Sequence, residues 1–197
     1  RKSGAAVDVI LRDGSTLRLR APVRNDAGAL ASFFAALSER SFYQRFHGVR
    51  AIDEELVGHF LEPDWSERGV LVGTLAAGDG SERIVAVGEY DRLRNPTAAE
   101  AAFSVADELQ GRGIGTRLLE RLAALAGEQG IERFVAEVMP ENRAMLGVFE
   151  RAGLEVTREL EHGEVELSFP IAPTEQYRAT VDERDHLAVT ASLRLFF

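Results

Sequence analysis

The 197-residue chain has no cysteine. Disulfide frameworks, thiolate zinc sites and cysteine nucleophiles are thereby excluded. Lysine occurs once, as Lys2. No stretch approaches the roughly 18 consecutive apolar residues that a membrane-spanning helix requires, and no signal-peptide pattern follows Arg1. The four histidines, His47, His59, His162 and His186, are scattered without metal-ligand spacing, so no metal is expected. Positive charge is also short: 23 basic residues face 32 acidic ones, a formal net charge of −9. Nucleic acid is therefore a poor partner, because neutralising its phosphates needs a basic surface. Neither nucleic acid nor membrane is an expected partner, and a cytoplasmic location is. With 45% hydrophobic and 28% charged residues, the chain has the balance of a folded globular domain.

The elements alternate in type. Val7–Leu11 and Thr16–Leu19 flank Asp13-Gly14, a tight-turn signal that predicts a hairpin. Asn25-Asp26 offers a cap for a helix running to Leu37, a second helix is expected over Glu39–Phe46, and a third after Asp53. Two β-branched runs, Val70–Ala76 and Ile84–Tyr90, read as an antiparallel pair, and Glu100–Val105 as a further strand. A polar, glycine-rich loop spans Asp107–Gly115. An amphipathic helix from Thr116, a strand over Phe134–Val138, a helix over Asn142–Ala152 and a final strand pair follow. Beyond Pro170 the periodicity is lost. The expectation is an α+β domain over residues 1–170, then a linker or tail over 171–197 whose apolar end, Leu195-Phe196-Phe197, suits a further C-terminal domain.

The chemistry is concentrated in Gln110-Gly111-Arg112-Gly113-Ile114-Gly115-Thr116. Three alternating glycines uncover backbone N–H groups at the start of a helix, where the macrodipole favours a phosphate. A Walker loop fails, since no Gly-Lys-Ser/Thr follows. A dinucleotide fingerprint counted from Gly111 places Thr116 at its third glycine. The pattern Q/R-x-x-G-x-G/A is matched by Gln110, Gly113 and Gly115.

That loop, with Pro140-Glu141-Asn142-Arg143-Ala144-Met145 and Phe149-Glu150-Arg151-Ala152-Gly153-Leu154, resembles the GNAT acetyltransferase superfamily over residues 14 to 170. The segments Asp13-Gly14, Arg18, Arg20, Asp26 and Leu37–Phe46 resemble the GNAT domain of Pat-type protein lysine acetyltransferases, which is commonly fused to an NDP-forming acyl-CoA synthetase-like region. The resemblance implies a mixed, mostly antiparallel sheet splayed into a V and flanked by helices. Acetyl-CoA would lie in the V, its pantetheine arm beside Ser104 and Val105. Its pyrophosphate would rest on Gln110, Gly111, Arg112, Gly113, Ile114, Gly115 and Thr116, with Asn142 facing the cofactor.

Glu100 is the implied general base, with Glu89 as the reserve. Many members carry a tyrosine, the acid for the leaving sulfur, where this chain has Phe149. The expected activity is acetyl transfer to a protein lysine in a ternary complex, with an acyl-CoA synthetase as target. Small-amine acetylation and non-catalytic acetyl-CoA sensing are the alternatives.

Overall fold

A computed structural model describes residues 5–48, 50–140 and 142–171; Lys2 and the tail from residue 172 lie outside the described residues. Among the described residues, eight strands form one sheet in the order β1-β2-β3-β4-β5-β6-β8-β7. They are β1 Val7–Ile10, β2 Thr16–Arg20, β3 Arg68–Ala76, β4 Glu82–Arg92, β5 Ala98–Val105, β6 Arg133–Val138, β7 Thr157–Glu161 and β8 Glu164–Pro170. All neighbouring pairs are antiparallel except β5 and β6. Five α-helices, α1 Ala27–Ala36, α2 Glu39–Phe46, α3 Glu54–Phe60, α4 Ile114–Glu128 and α5 Arg143–Arg151, cover the two faces.

The parallel join is short. Ala98, Ala99 and Glu100 pair with Arg133, Phe134 and Val135, and there the pairing stops. Beyond Glu100, β5 continues to Val105 bonded only to β4, while β6 continues to Val138 bonded only to β8. The facing edges therefore diverge, leaving backbone groups unpaired between them. This is the V that the resemblance implies.

Register parity sorts the side chains. Tyr90, Phe103, Phe134 and Phe169 point to one face, where Phe149 of α5 stacks on Phe103 and Phe169 with ring centroids 6.0 and 5.1 Å away. Helix α4 lies so close on this face that a Cβ on Gly88 would meet Leu118 at 2.9 Å. The opposite face carries Glu89, Asp91, Glu100 and Glu137 and is roofed by α1, α2 and α3, whose Phe34, Phe46 and Phe60 cluster together. Burying a large apolar side chain stabilises by roughly 1.5–3 kcal/mol, so these two aromatic clusters set which face each helix covers.

Two local expectations change. Asp26 precedes α1 but its side chain does not cap it. Its carboxylate instead takes Arg20 Nη1 at 2.7 Å, Arg20 Nη2 at 2.9 Å and the Val23 N–H at 2.7 Å, because a charged bidentate partner outcompetes a neutral N–H. Helix α4 starts at Ile114 rather than Thr116. Gly115 is inside the helix, where a Cβ would meet Val148 at 3.0 Å; packing, not a turn, demands the glycine.

Candidate active site

The diverging strands open a cleft of about 270 Å³. One end is the N-terminus of α4. Its N-cap is Gly113 at φ 85°, a left-handed conformation that suits glycine. No side chain caps this end and no acidic residue occupies the first turn. The first bond back into the helix is from the Arg117 N–H to the Gly113 carbonyl, at 3.1 Å. The N–H groups of Ile114, Gly115 and Thr116 thus precede the helical ladder, and the dipole adds positive potential to them. A Cβ on Gly113 would meet nothing within 4 Å, so the surface above the loop is open to an anion.

The sequence-read cofactor residues gather here. Ser104, Val105, Gln110, Gly111, Gly113–Thr116 and Asn142 all border the cleft. Gln110 Nε2 donates to the Val105 carbonyl at 3.3 Å, tying the loop to the end of β5. Asn142 Oδ1 accepts from the Met145 N–H at 3.2 Å, so it caps α5 while facing the cleft. Ser104 Oγ is buried with no hydrogen-bond partner among the described residues. A buried hydroxyl left so costs free energy; a polar chain such as pantetheine passing along β5 would satisfy it. Arg112 enters the expectation through its backbone, between Gly111 and Gly113. Its side chain does not border the cleft and turns to Asp13, Nη1 to Oδ2 at 3.4 Å.

Glu100 and Glu89 are on one face but in opposite environments. Glu100 is exposed at the apex, one residue before the cleft-lining Ala101. Glu89 is buried and engaged: Arg45 binds Oε1, and His59 Nε2 lies 3.0 Å from Oε2. Burial pushes the Glu89 carboxyl up, but the hydrogen bond from His59 and the charge of Arg45 outweigh it and hold the group below its ordinary value. Arg68 Nη1 lies 2.8 Å from His59 Nδ1. Arginine can only donate, so Nδ1 accepts and Nε2 carries the proton toward Glu89. A carboxylate so occupied is poorly placed to accept another proton.

Several cleft features were not singled out from sequence. Ser41, Gln44 and Arg45 of α2 form a lip over the cleft; their i, i+3, i+4 spacing on an expected helix was the available signal. Glu137, also lining the cleft, has its carboxyl raised by burial and by Glu100 and Glu164. His47 Nδ1 lies 2.9 Å from Glu164 Oε1.

Among the described residues, two groups, His47/Glu137/Glu164 and His59/Glu89/Asp91, bring one potential ligand atom from each member within 4.8 Å of the others. In the second, a cation would have to compete with the Arg45 guanidinium for Glu89. No helix among the described residues is long and apolar enough to cross a membrane.

Comparison with known proteins places this geometry. The acetyltransferase (GNAT) family model matches residues 28–154. Acetyltransferase Pat of Mycolicibacterium smegmatis is 33% identical over 156 residues, 78% of this chain and 45% of Pat. The chain thus spans about half the length of this relative. The GNAT domain of S. lividans PAT superposes with a TM-score of 0.76 at 39% identity, covering 84% of this chain and 96% of that one. The protein yncA of Salmonella typhimurium, solved with its cofactor acetyl-CoA, shares the fold at a TM-score of 0.61 and 17% identity, over 80% of this chain and 95% of that one. With a family model over residues 28–154, a Pat relative and a sheet whose β5–β6 pairing stops at Glu100, the chain belongs to the GNAT acetyltransferase family.

Proposed function

We propose that the chain is a protein lysine N-acetyltransferase that uses acetyl-CoA, transfers the acetyl group directly within a ternary complex, and acts on an acyl-CoA synthetase. One observation carries the reading: an exposed carboxylate, Glu100, stands at the apex of a cleft whose far end is an uncapped helix N-terminus.

Acetyl-CoA supplies an acyl group activated as a thioester, whose thiolate, with a thiol pKa near 8.5, departs readily. The residues of the chain do the rest. The N–H groups of Ile114, Gly115 and Thr116 hold the pyrophosphate, and the free edge of Ala101–Val105 aligns the arm. An acceptor lysine of pKa near 10.4 costs about 4.6 kcal/mol to deprotonate at pH 7. Glu100 takes that proton, directly or through water. The amine nitrogen then bonds to the acyl carbon, the carbon–sulfur bond breaks, and the nitrogen's second proton leaves with the thiolate or to solvent. Without cysteine, an acetyl-Cys intermediate has no site, which supports direct transfer. The likeness to Pat supports a protein acceptor.

The test is incubation with radiolabelled acetyl-CoA and candidate synthetases, with mapping of the modified residue. Glu100→Gln should keep acetyl-CoA affinity and slow transfer by about 10²–10⁴. Near-full activity at neutral pH would remove Glu100 from the role. Faster turnover of small amines than of any synthetase would replace the protein acceptor.

A further inference from the structure

Helix α2 buries none of its eight residues fully, although Phe42 and Phe46 lean on the core. Polar ties hold both its ends. Arg45 near its C-terminus binds Glu89. At its N-terminus a carboxylate from 69 residues away takes over: the Ser38 N–H and Oγ each donate to Asp107 at 2.9 Å, and Ser41 Oγ donates at 2.5 Å. Ser38 Oγ meanwhile accepts from the Ser41 N–H at 3.2 Å as the helix cap. A negative charge at this end of a helix is favourable. Burial pushes the Asp107 carboxyl up, yet the bonds from Ser41 and Ser38 outweigh it and keep the group below the ordinary range, ionised at neutral pH.

Asp107 also opens the turn that leads from β5 into the glycine loop. Its carbonyl accepts from the Gln110 N–H at 3.4 Å, and the Gln110 side chain is tied back to Val105. Three residues after Gln110 stands Gly113, the N-cap of α4. One residue thus touches both the phosphate end of the cleft and the helix whose Ser41, Gln44 and Arg45 form its lip on the Glu100 face.

We propose that Asp107 is a positioning residue coupling occupancy of the acetyl-CoA loop to the placement of α2 over the acceptor side of the cleft. The inference rests on the acetyl-CoA site proposed above. Phosphates held by the α4 N-terminus immobilise the loop, and the Gln110–Asp107 turn passes that order to Ser38 and Ser41. The acceptor lip is then set only when the acyl donor is in place. Such coupling is a free energy shared by two sites, and it acts in both directions.

Hydrogen–deuterium exchange with and without acetyl-CoA tests it, each protein compared with its own ligand-free rates. In the native chain, saturating acetyl-CoA should slow exchange over residues 111–117 and, by about fivefold or more, over residues 39–46. In Asp107→Asn the protection of 111–117 should persist while that of 39–46 is lost, and Asp107→Glu should restore part of it. If Asp107→Asn fails to fold, Ser41→Ala, which removes one of the three bonds, should show reduced protection of 39–46. Native-like protection of α2 in these variants, with the loop still protected, overturns the coupling and leaves the acetyl-CoA site standing. Absence of protection over 111–117 in the native chain overturns the site itself, and the coupling with it.

Discussion

Helices α4 and α2 wall the same cleft and are held by different forces. Of the 15 residues of α4, 11 are buried, among them Leu118, Leu119 and Leu122. Its place follows largely from apolar packing, which is non-directional, alongside a buried ion pair between Arg117 and Glu120. Helix α2 has eight residues, none fully buried, and depends on Asp107 and Glu89. A hydrogen bond contributes a net of about 1 kcal/mol, more where a charge takes part. The α4 side of the cleft, the proposed donor side, is therefore built into the core, whereas the α2 side, the proposed acceptor side, rests on Phe42, Phe46 and a few directional contacts. Elements with little buried apolar area open locally at low cost, which would suit the side proposed to admit a protein surface.

The largest expected effect is on the acceptor side. Glu89→Ala strips the carboxylate from Arg45, whose side chain is only 13% exposed, and from His59. Removing one partner of a buried pair costs about 3–5 kcal/mol, measurable as a lower midpoint in urea. A loss under about 1 kcal/mol, the scale of one ordinary hydrogen bond, would show that Phe42 and Phe46 suffice to hold α2, and the contrast with α4 would fail.

The pH dependence sharpens the same point. Glu89 is held below its ordinary value in the folded chain. Its contribution is present above the ordinary carboxylate range and is lost as pH falls through the folded value. The native chain should therefore lose stability more steeply on acidification than Glu89→Gln, a difference that urea melts at several pH values would read.

The strand, loop and helix around the glycines were largely legible from sequence, because their signals are local. The glycine spacing at 111, 113 and 115, the strand before it and the apolar stripe after it lie within one continuous stretch. The bounds of α2, Glu39–Phe46, were equally local and match those observed. Its ties were not, since Ser41 meets a residue 66 positions away and Arg45 one 44 away. Nothing in the periodicity of α2 names those partners. Asp26 shows the same limit in reverse: a good capping residue by local preference was claimed by Arg20 from the neighbouring strand. The early end of β5–β6 pairing came from resemblance; no alternation pattern in Ala98–Val105 or Arg133–Val138 announces where two strands part.

A middle-sized effect is expected at the donor end. Gly113→Val must adopt φ near 85°, at a cost of about 1–2 kcal/mol for a residue with a Cβ. No neighbour lies within 4 Å to clash with it, so the fold should survive. The added side chain occupies the space a phosphate needs, and calorimetry should show acetyl-CoA affinity reduced at least about tenfold, the worth of roughly 1.4 kcal/mol. Undiminished binding would detach the cofactor from this loop.

The smallest effect is expected at Phe149, where many GNAT enzymes carry a tyrosine. The ring is 1% exposed and fits between Phe103 and Phe169 while bordering the cleft. Phe149→Tyr inserts a hydroxyl into that aromatic stack and should lower stability by about 1 kcal/mol. Its effect on the maximal rate should stay below about tenfold, against about 10²–10⁴ for Glu100→Gln. The reason is the leaving group: a thiol of pKa near 8.5 departs as a thiolate more easily than an amine whose conjugate acid has a pKa near 10.4. Expulsion would then need no acid on α5, and on the proposed mechanism the proton that matters is the one Glu100 would take from the acceptor. A large gain in rate on adding the hydroxyl, from a parent with negligible activity, would reverse that order. It would make Phe149 the mark of a domain that binds acetyl-CoA without turning it over.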